Sequence, residues 1–385
     1  MGTFVDRFGA YIYPFLVLFL TDQGLSKESA GFGMACVGIG GLGAGWLGGY
    51  LSDLIGRRKT IAISMIGGGF FAISLYLATI YATQLGGYWA TFVAAGLYGL
   101  VRGMYHPASS SLVADIVPPK NRVAAFALLR FAINLGFALG MMLGGHLAEI
   151  SFLILFLLDT TTSVIFGIAA VFFLPQGIRS ERSQASWIPA LKVMKGSRAF
   201  LLVFINAGIL AIVFVQMGSS FAVHLRDGNY GLKLYGWLMA FNGLLIVFLE
   251  MPISAWTRRF SAPHMIALGS LLAGLGFATN AFAVTWIGFS LAMFTFTVGE
   301  MISMPVQGAY VSQLAPESMR GRFNGAIGFA WSGANVVGPI LGLWLLGLGF
   351  EVLCLTIFCL NTASALMLVL RPTTAPAPQP SQVEG

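Results

Sequence analysis

Charge is what this 385-residue chain has least of. Asp, Glu, Lys and Arg make up 9% of it, against 57% hydrophobic residues. A soluble globule needs far more polar side chain to cover its surface; the mean hydropathy of +0.84 places the chain in lipid instead. Cysteine is nearly absent. Cys36, Cys354 and Cys359 are odd in number and all lie in apolar stretches, which excludes a disulfide framework and reads as packing. The four histidines, His106 among them, show no metal-ligand spacing, so no metal site is expected. No Gly-rich loop ending in Lys-Ser or Lys-Thr occurs, which removes ATP as an energy source. No nucleophile, base and orienting group converge in sequence, so neither an enzyme nor a cofactor is expected. No basic leader precedes the first apolar stretch, which reads as a retained anchor and not as a cleaved signal.

What is present is apolar sequence in blocks long enough to span a bilayer, for which about 20 residues suffice. Twelve helices are expected, at roughly 4–22, 30–52, 61–82, 86–110, 122–148, 152–174, 200–224, 233–256, 264–283, 285–311, 322–348 and 350–370. With both termini on one side, fifteen of the 21 Lys and Arg residues fall on that side and three on the other. The positive-inside rule then puts both termini in the cytoplasm. The net charge of +7 follows from this topology and from anionic lipid, so no nucleic-acid partner is expected.

The chain repeats itself. Arg102, Pro107, Pro118 and Arg122 recur as Glu300, Pro305, Pro316 and Arg320 at a constant offset of 198, and the register continues from Gly140 and Gly144 to Gly338 and Gly342. Two six-helix halves, 1–174 and 200–371, are expected, with a cytoplasmic linker at 175–199 and a Pro-rich, disordered tail at 372–385. Parallel repeats of this kind place a substrate cavity at their interface near mid-membrane.

Three segments carry a family resemblance. The run from Gly49 through Asp53, Gly56, Arg57, Arg58 and Lys59 sets two charge types and a tight turn between two apolar helices. It resembles the signature loop of the major facilitator superfamily, where that loop is a conformational latch. Gly49 would let helices approach, Gly56 would take a positive φ, and Asp53 would pair with Arg57, with Asp115 joining them. The matching place in the second half, Pro252 to Phe260, keeps Arg258 and Arg259 without an aspartate, so that latch should be weaker. Arg102, in Leu97-Tyr-Gly-Leu-Val-Arg102, resembles the family's fourth-helix arginine linked to proton coupling; Asp6 and carbonyls freed near Pro107 are its candidate acceptors. Gly136, Gly140, Gly144 and Gly145 resemble the family's antiporter motif, with Met141 where proline is usual, and read equally as close helix packing. The resemblance implies an all-α integral membrane fold of twelve helices in two pseudo-symmetric bundles.

An acid inside the membrane must be paired, protonated or facing water. Glu300, repeat-equivalent to Arg102, is expected to face that cation across the pseudo-twofold and to carry the proton with Asp6, while Asp159 and Glu250 read as structural. Tyr11, Tyr98, Tyr105, Phe214, Phe241 and Trp331 are candidates to line the cavity, which would suit amphipathic or hydrophobic molecules. The expected protein is a monomeric, proton-coupled secondary transporter for small molecules, most like the drug-efflux branch. A proton-driven uptake symporter for a sugar, peptide or organic acid, or a non-transporting sensor or scaffold, are the alternatives.

Overall fold

The structure is a computed structural model that describes residues 2–118, 121–177 and 187–370. It is helical throughout, with no strand among the described residues. In chain order the helices are α1 (Gly2–Phe8), α2 (Ile12–Asp22), α3 (Lys27–Leu54), α4 (Arg57–Ile80), α5 (Trp89–Gly103), α6 (Tyr105–Ile116), α7 (Arg122–Ile150), α8 (Phe152–Phe173), α9 (Trp187–Gly196), α10 (Arg198–Gly218), α11 (Ser220–Asp227), α12 (Leu232–Thr257), α13 (Ala262–Ala278), α14 (Trp286–Leu314), α15 (Arg320–Leu348) and α16 (Phe350–Leu370).

Eleven segments are long and apolar enough to cross a membrane, with α1–α2 and α10–α11 each counted as one. The fourth expected span, 86–110, is divided into α5 and α6 at Met104. Proline explains the division. Pro107 has no N–H to give Gly103, and its ring would crowd that carbonyl, so the chain breaks and Pro107 sits in the first turn of a new helix, where the missing donor does no harm. The same device operates at Pro14, in the first turn of α2, after a break at Gly9–Tyr11. Pro305, the repeat-related proline, stays inside the continuous helix α14. Part of the expected linker, 187–196, is helix α9, packed on the second half beside α10 and α15. The expected tail at 372–385 lies outside the described residues.

Helices α1–α8 pack mainly among themselves, as do α10–α16, and these two sets are called the halves below; α7 against α12 and α3 against α15 join them. The largest apolar cluster runs through both halves, from Phe15, Phe19 and Phe156 to Phe221, Tyr235 and Leu343, and smaller cores sit around Met65, Tyr105 and Phe166 in the first half and around Phe200, Ile266 and Phe323 in the second. Polar staples reinforce the second core: Asn206, fully buried on α10, donates to Ser270 Oγ and Ser364 Oγ at 2.9 Å each and accepts from Gln307 at 3.4 Å. Asn206→Ala strands these groups where water cannot reach them. A loss of about 2–4 kcal/mol is expected, read as a lower melting temperature in detergent.

The halves meet along two flanks, and the flanks differ. On one, α7 and α12 touch at both ends. A Cβ added to Gly145 would stand 2.7 Å from the Leu232 carbonyl and 2.9 Å from Gly236 Cα, one on Gly243 3.0 Å from the Asn134 carbonyl, and Arg130 pairs with Glu250 farther along. On the other flank, α3 and α15 touch where Gly31 meets Pro339 and Gly38 meets Asn335. Toward the end of the bundle that carries the termini they part: a Cβ added to Gly41, Gly45, Gly49, Gly321, Gly328 or Gly333 meets nothing within 4 Å. Polar contacts close the far end. Lys27 pairs with Asp227 at 2.8 Å, Lys233 with Glu149 at 2.9 Å, and Arg226 donates to Thr21 Oγ1 at 2.5 Å.

Candidate functional site

The break in the first helix positions a buried charge cluster in the first half. α1 carries Asp6, 3% exposed, and its Oδ1 lies 2.5 Å from Arg102 Nη2, near the end of α5. Arg7 stands 3.7 Å from the other Asp6 oxygen and is 36% exposed. A second Arg102 nitrogen, Nη1, points at the Met65 sulfur, 2.8 Å away, a weak acceptor. From α8, Asp159 comes within electrostatic reach of Arg102 and Asp6. It accepts from the Ile12 N–H at 3.3 Å and from Ser163 Oγ at 3.2 Å. Ile12 opens α2, so Asp159 supplies from another helix the acceptor that Tyr11, at the cap position, does not. An isolated arginine in hydrocarbon is costly; here burial is offset by two carboxylates and by phenol groups, since Tyr98 and Tyr105 also face the guanidinium.

The second half has its own acid. Glu300, 8% exposed on α14, accepts from the Asn242 amide at 2.9 Å, and the same amide donates to Thr297 at 2.9 Å. Its charged neighbours are Arg130 and Glu250, which pair with each other across the two halves. Glu300 and Arg102 therefore do not face one another as expected. Repeat equivalence relates positions by the pseudo-twofold, and residues so related become neighbours only when they lie close to that axis.

The signature loop forms a compact ion cluster. Gly56 takes φ 94° before α4, a conformation that a side chain would strain. Arg57, 6% exposed, donates to Asp53 at 2.6 Å and to the Ser52 carbonyl at 2.8 Å, and its Nε lies 3.2 Å from Asp115. Arg58 reaches the Leu174 carbonyl at 3.4 Å, tying the loop to the end of α8. Gly49 makes no close approach. That role belongs to its neighbour Gly48, where a Cβ would stand 2.8 Å from Met104 Cα at the break between α5 and α6. On α7 the four glycines serve two partners. Gly136, Gly140 and Gly144 receive α1 and the start of α2, and Gly145 meets Gly236 of the other half.

Sequence comparison decides the family, since a model of the Major Facilitator Superfamily matches residues 1–233 and again 221–385. The chain belongs to that superfamily. It is 28% identical over 362 residues to a "Na(+), Li(+), K(+)/H(+) antiporter" of Planococcus maritimus, covering 86% of this chain and 84% of that one. It is 24% identical over 351 residues to the multidrug resistance protein MdtH of Salmonella paratyphi B, covering 88% and 83%. Among solved structures, a peptide transporter POT in complex with sulfate superposes with a TM-score of 0.75 at 19% identity, over 96% of this chain and 92% of that one, and shows the shared fold. This superfamily member is accordingly a transporter, not an enzyme.

Of the aromatic candidates, Tyr98 and Tyr105 surround Arg102, and Tyr105 also packs in the first-half core, edge-on to Phe166. Tyr11 is buried against Gly144. Phe214 packs at a tilt against Trp331, ring centroids 5.3 Å apart, and against Phe296 at 4.9 Å. Phe241 lines a groove between α12 and α14 with Trp237 and Phe294, within the second half. Sequence reasoning passed over Asn242, Asn335 and Arg130. Asn335 accepts from the Tyr13 hydroxyl across the two halves, and all three are polar residues inside apolar helices, the signal by which they stand out.

Proposed function

We propose that this superfamily member is a proton-driven exporter of small amphipathic or hydrophobic molecules. It works by alternating access in a bacterial plasma membrane, with both termini in the cytoplasm. The observation that carries the reading is Glu300. It is a buried carboxyl in the middle of a membrane helix, held by a neutral amide and set beside the ion pair that joins the halves. A carboxyl so placed exchanges its proton when its surroundings change. The two halves supply that change: touching at one end and parted at the other is one of the two arrangements that alternating access requires. The antiporter and multidrug relatives support the same reading. The domain limits 1–174 and 200–371 and the latch role of Asp53, Gly56 and Arg57 belong to this proposal.

The test is Glu300→Gln in proteoliposomes with an imposed proton gradient and a panel of lipophilic cations and neutral dyes. Gradient-driven movement should fall by about tenfold or more, the scale of a coupling free energy, while exchange without a gradient persists. Unchanged gradient-driven transport removes Glu300 from the mechanism. Accumulation of the solute on the side toward which protons move, in the wild type, replaces export with uptake.

A further inference from the structure

We propose that Asp159 is a second proton-exchanging carboxyl, sharing the Arg102 guanidinium with Asp6, and that the proton's position decides which of the two carboxylates holds the arginine. The proposal deepens the proton-coupled reading above and moves it to a residue that reading does not use.

Four observations converge. Asp159 is 1% exposed, and its immediate donors are both neutral, the Ile12 amide and the Ser163 hydroxyl. Arg102 has capacity to spare, because one of its nitrogens is directed at a thioether sulfur while another holds Asp6. Two carboxyls around one buried cation leave a negative charge in excess when both are ionised, and one proton removes it. Arg7 also approaches Asp6, but from a position open to solvent, where its charge is screened. Finally, Asp159 holds the first amide of α2 just past the break, so its charge favours the positive end of that helix.

The groups facing Asp159 are Arg102 and Tyr98 from α5, Asp6 from α1 and Tyr11 from the break. In one state the proton resides on Asp159, and Asp6 holds the guanidinium. In the other it has moved to Asp6, and the guanidinium turns from Asp6 to the ionised Asp159. That turn removes the tie between α1 and α5, and the newly ionised Asp159 is then shared between the guanidinium and the Ile12 amide. Movement of one proton and one side chain thereby loosens the hinge in the first helix, with no covalent step.

The experiment is infrared difference spectroscopy of the purified full-length protein between alkaline and acid pH, in the Glu300→Gln background so that the second-half carboxyl is silent. A protonated-carboxyl band is expected to grow on acidification. It should be lost in Asp159→Asn and equally lost in Asp6→Asn, because either amide leaves one carboxylate for one arginine. Persistence of the full band in either variant overturns the sharing. Asp6→Asn keeps the test decisive if Asp159→Asn does not fold. Failure of gradient-driven transport in the wild type would overturn the proton-coupled reading alone, since the band is measured without transport. Hydrogen exchange at Ile12 supplies a second readout, with faster exchange expected in Asp159→Ala than in Asp159→Asn, whose side-chain carbonyl still accepts the amide.

Discussion

Arg102→Leu is expected to abolish transport and to destabilise the protein by about 3–5 kcal/mol, the range for removing one partner from a buried ionic cluster. The substitution leaves Asp6 and Asp159, 3% and 1% exposed, without the cation that both of them face. Folding then favours protonation within the pair, above all at Asp159, since Arg7 still stands beside Asp6. Their combined effect has a definite sign: the deficit is smallest at acid pH, where protons are supplied by the solvent, and grows as the pH rises. Thermal melting in detergent at several pH values measures it, with transport followed in parallel. Adding Asp6→Asn and Asp159→Asn to Arg102→Leu removes the uncompensated charge and should restore most of the stability without restoring transport. A single variant that melts as the wild type does at alkaline pH would show that the cluster carries no such load.

Gly145→Leu is the second large effect, and it acts on the arrangement of the halves and not on charge. Gly145 and Gly236 face each other with room for hydrogen only, so a leucine at either position wedges α7 from α12 at the end remote from the termini. Overpacking of this size costs about 1–3 kcal/mol, which is enough to shift a two-state balance about tenfold or more. Transport should fall by that factor while expression and helix content stay normal. Cysteines placed beside Lys27 and Asp227 should become more reactive to a membrane-impermeant reagent. Gly45→Leu is the control, because nothing lies within 4 Å of a Cβ there. Wild-type transport by Gly145→Leu would mean that the contact plays no part in the cycle.

The architecture was legible because lipid enforces it. Apolar blocks of sufficient length report a constraint that local sequence obeys, and eleven of them recur as helices able to span a bilayer. The charge pairs were legible only where the partners are near in sequence or marked by a motif, as with Asp53 and Arg57. Arg130 and Glu250 are 120 residues apart on helices with no shared pattern, and only packing brings them together. Arg102 and Glu300 were linked by repeat equivalence, which fixes symmetry and not distance. The prolines at 14 and 107 held the information about the broken helices, since each removes the amide that would have continued the turn.

The unequal grip of the two flanks has a consequence for how cargo arrives. Because α7 and α12 stay joined down to Arg130 and Glu250 while α3 and α15 separate, the structure resembles a door hung on one jamb. Its free edge carries Trp46 and Phe329, 74% and 65% exposed. For cargo of the amphipathic class proposed above, that free edge offers a sideways way in past these rings.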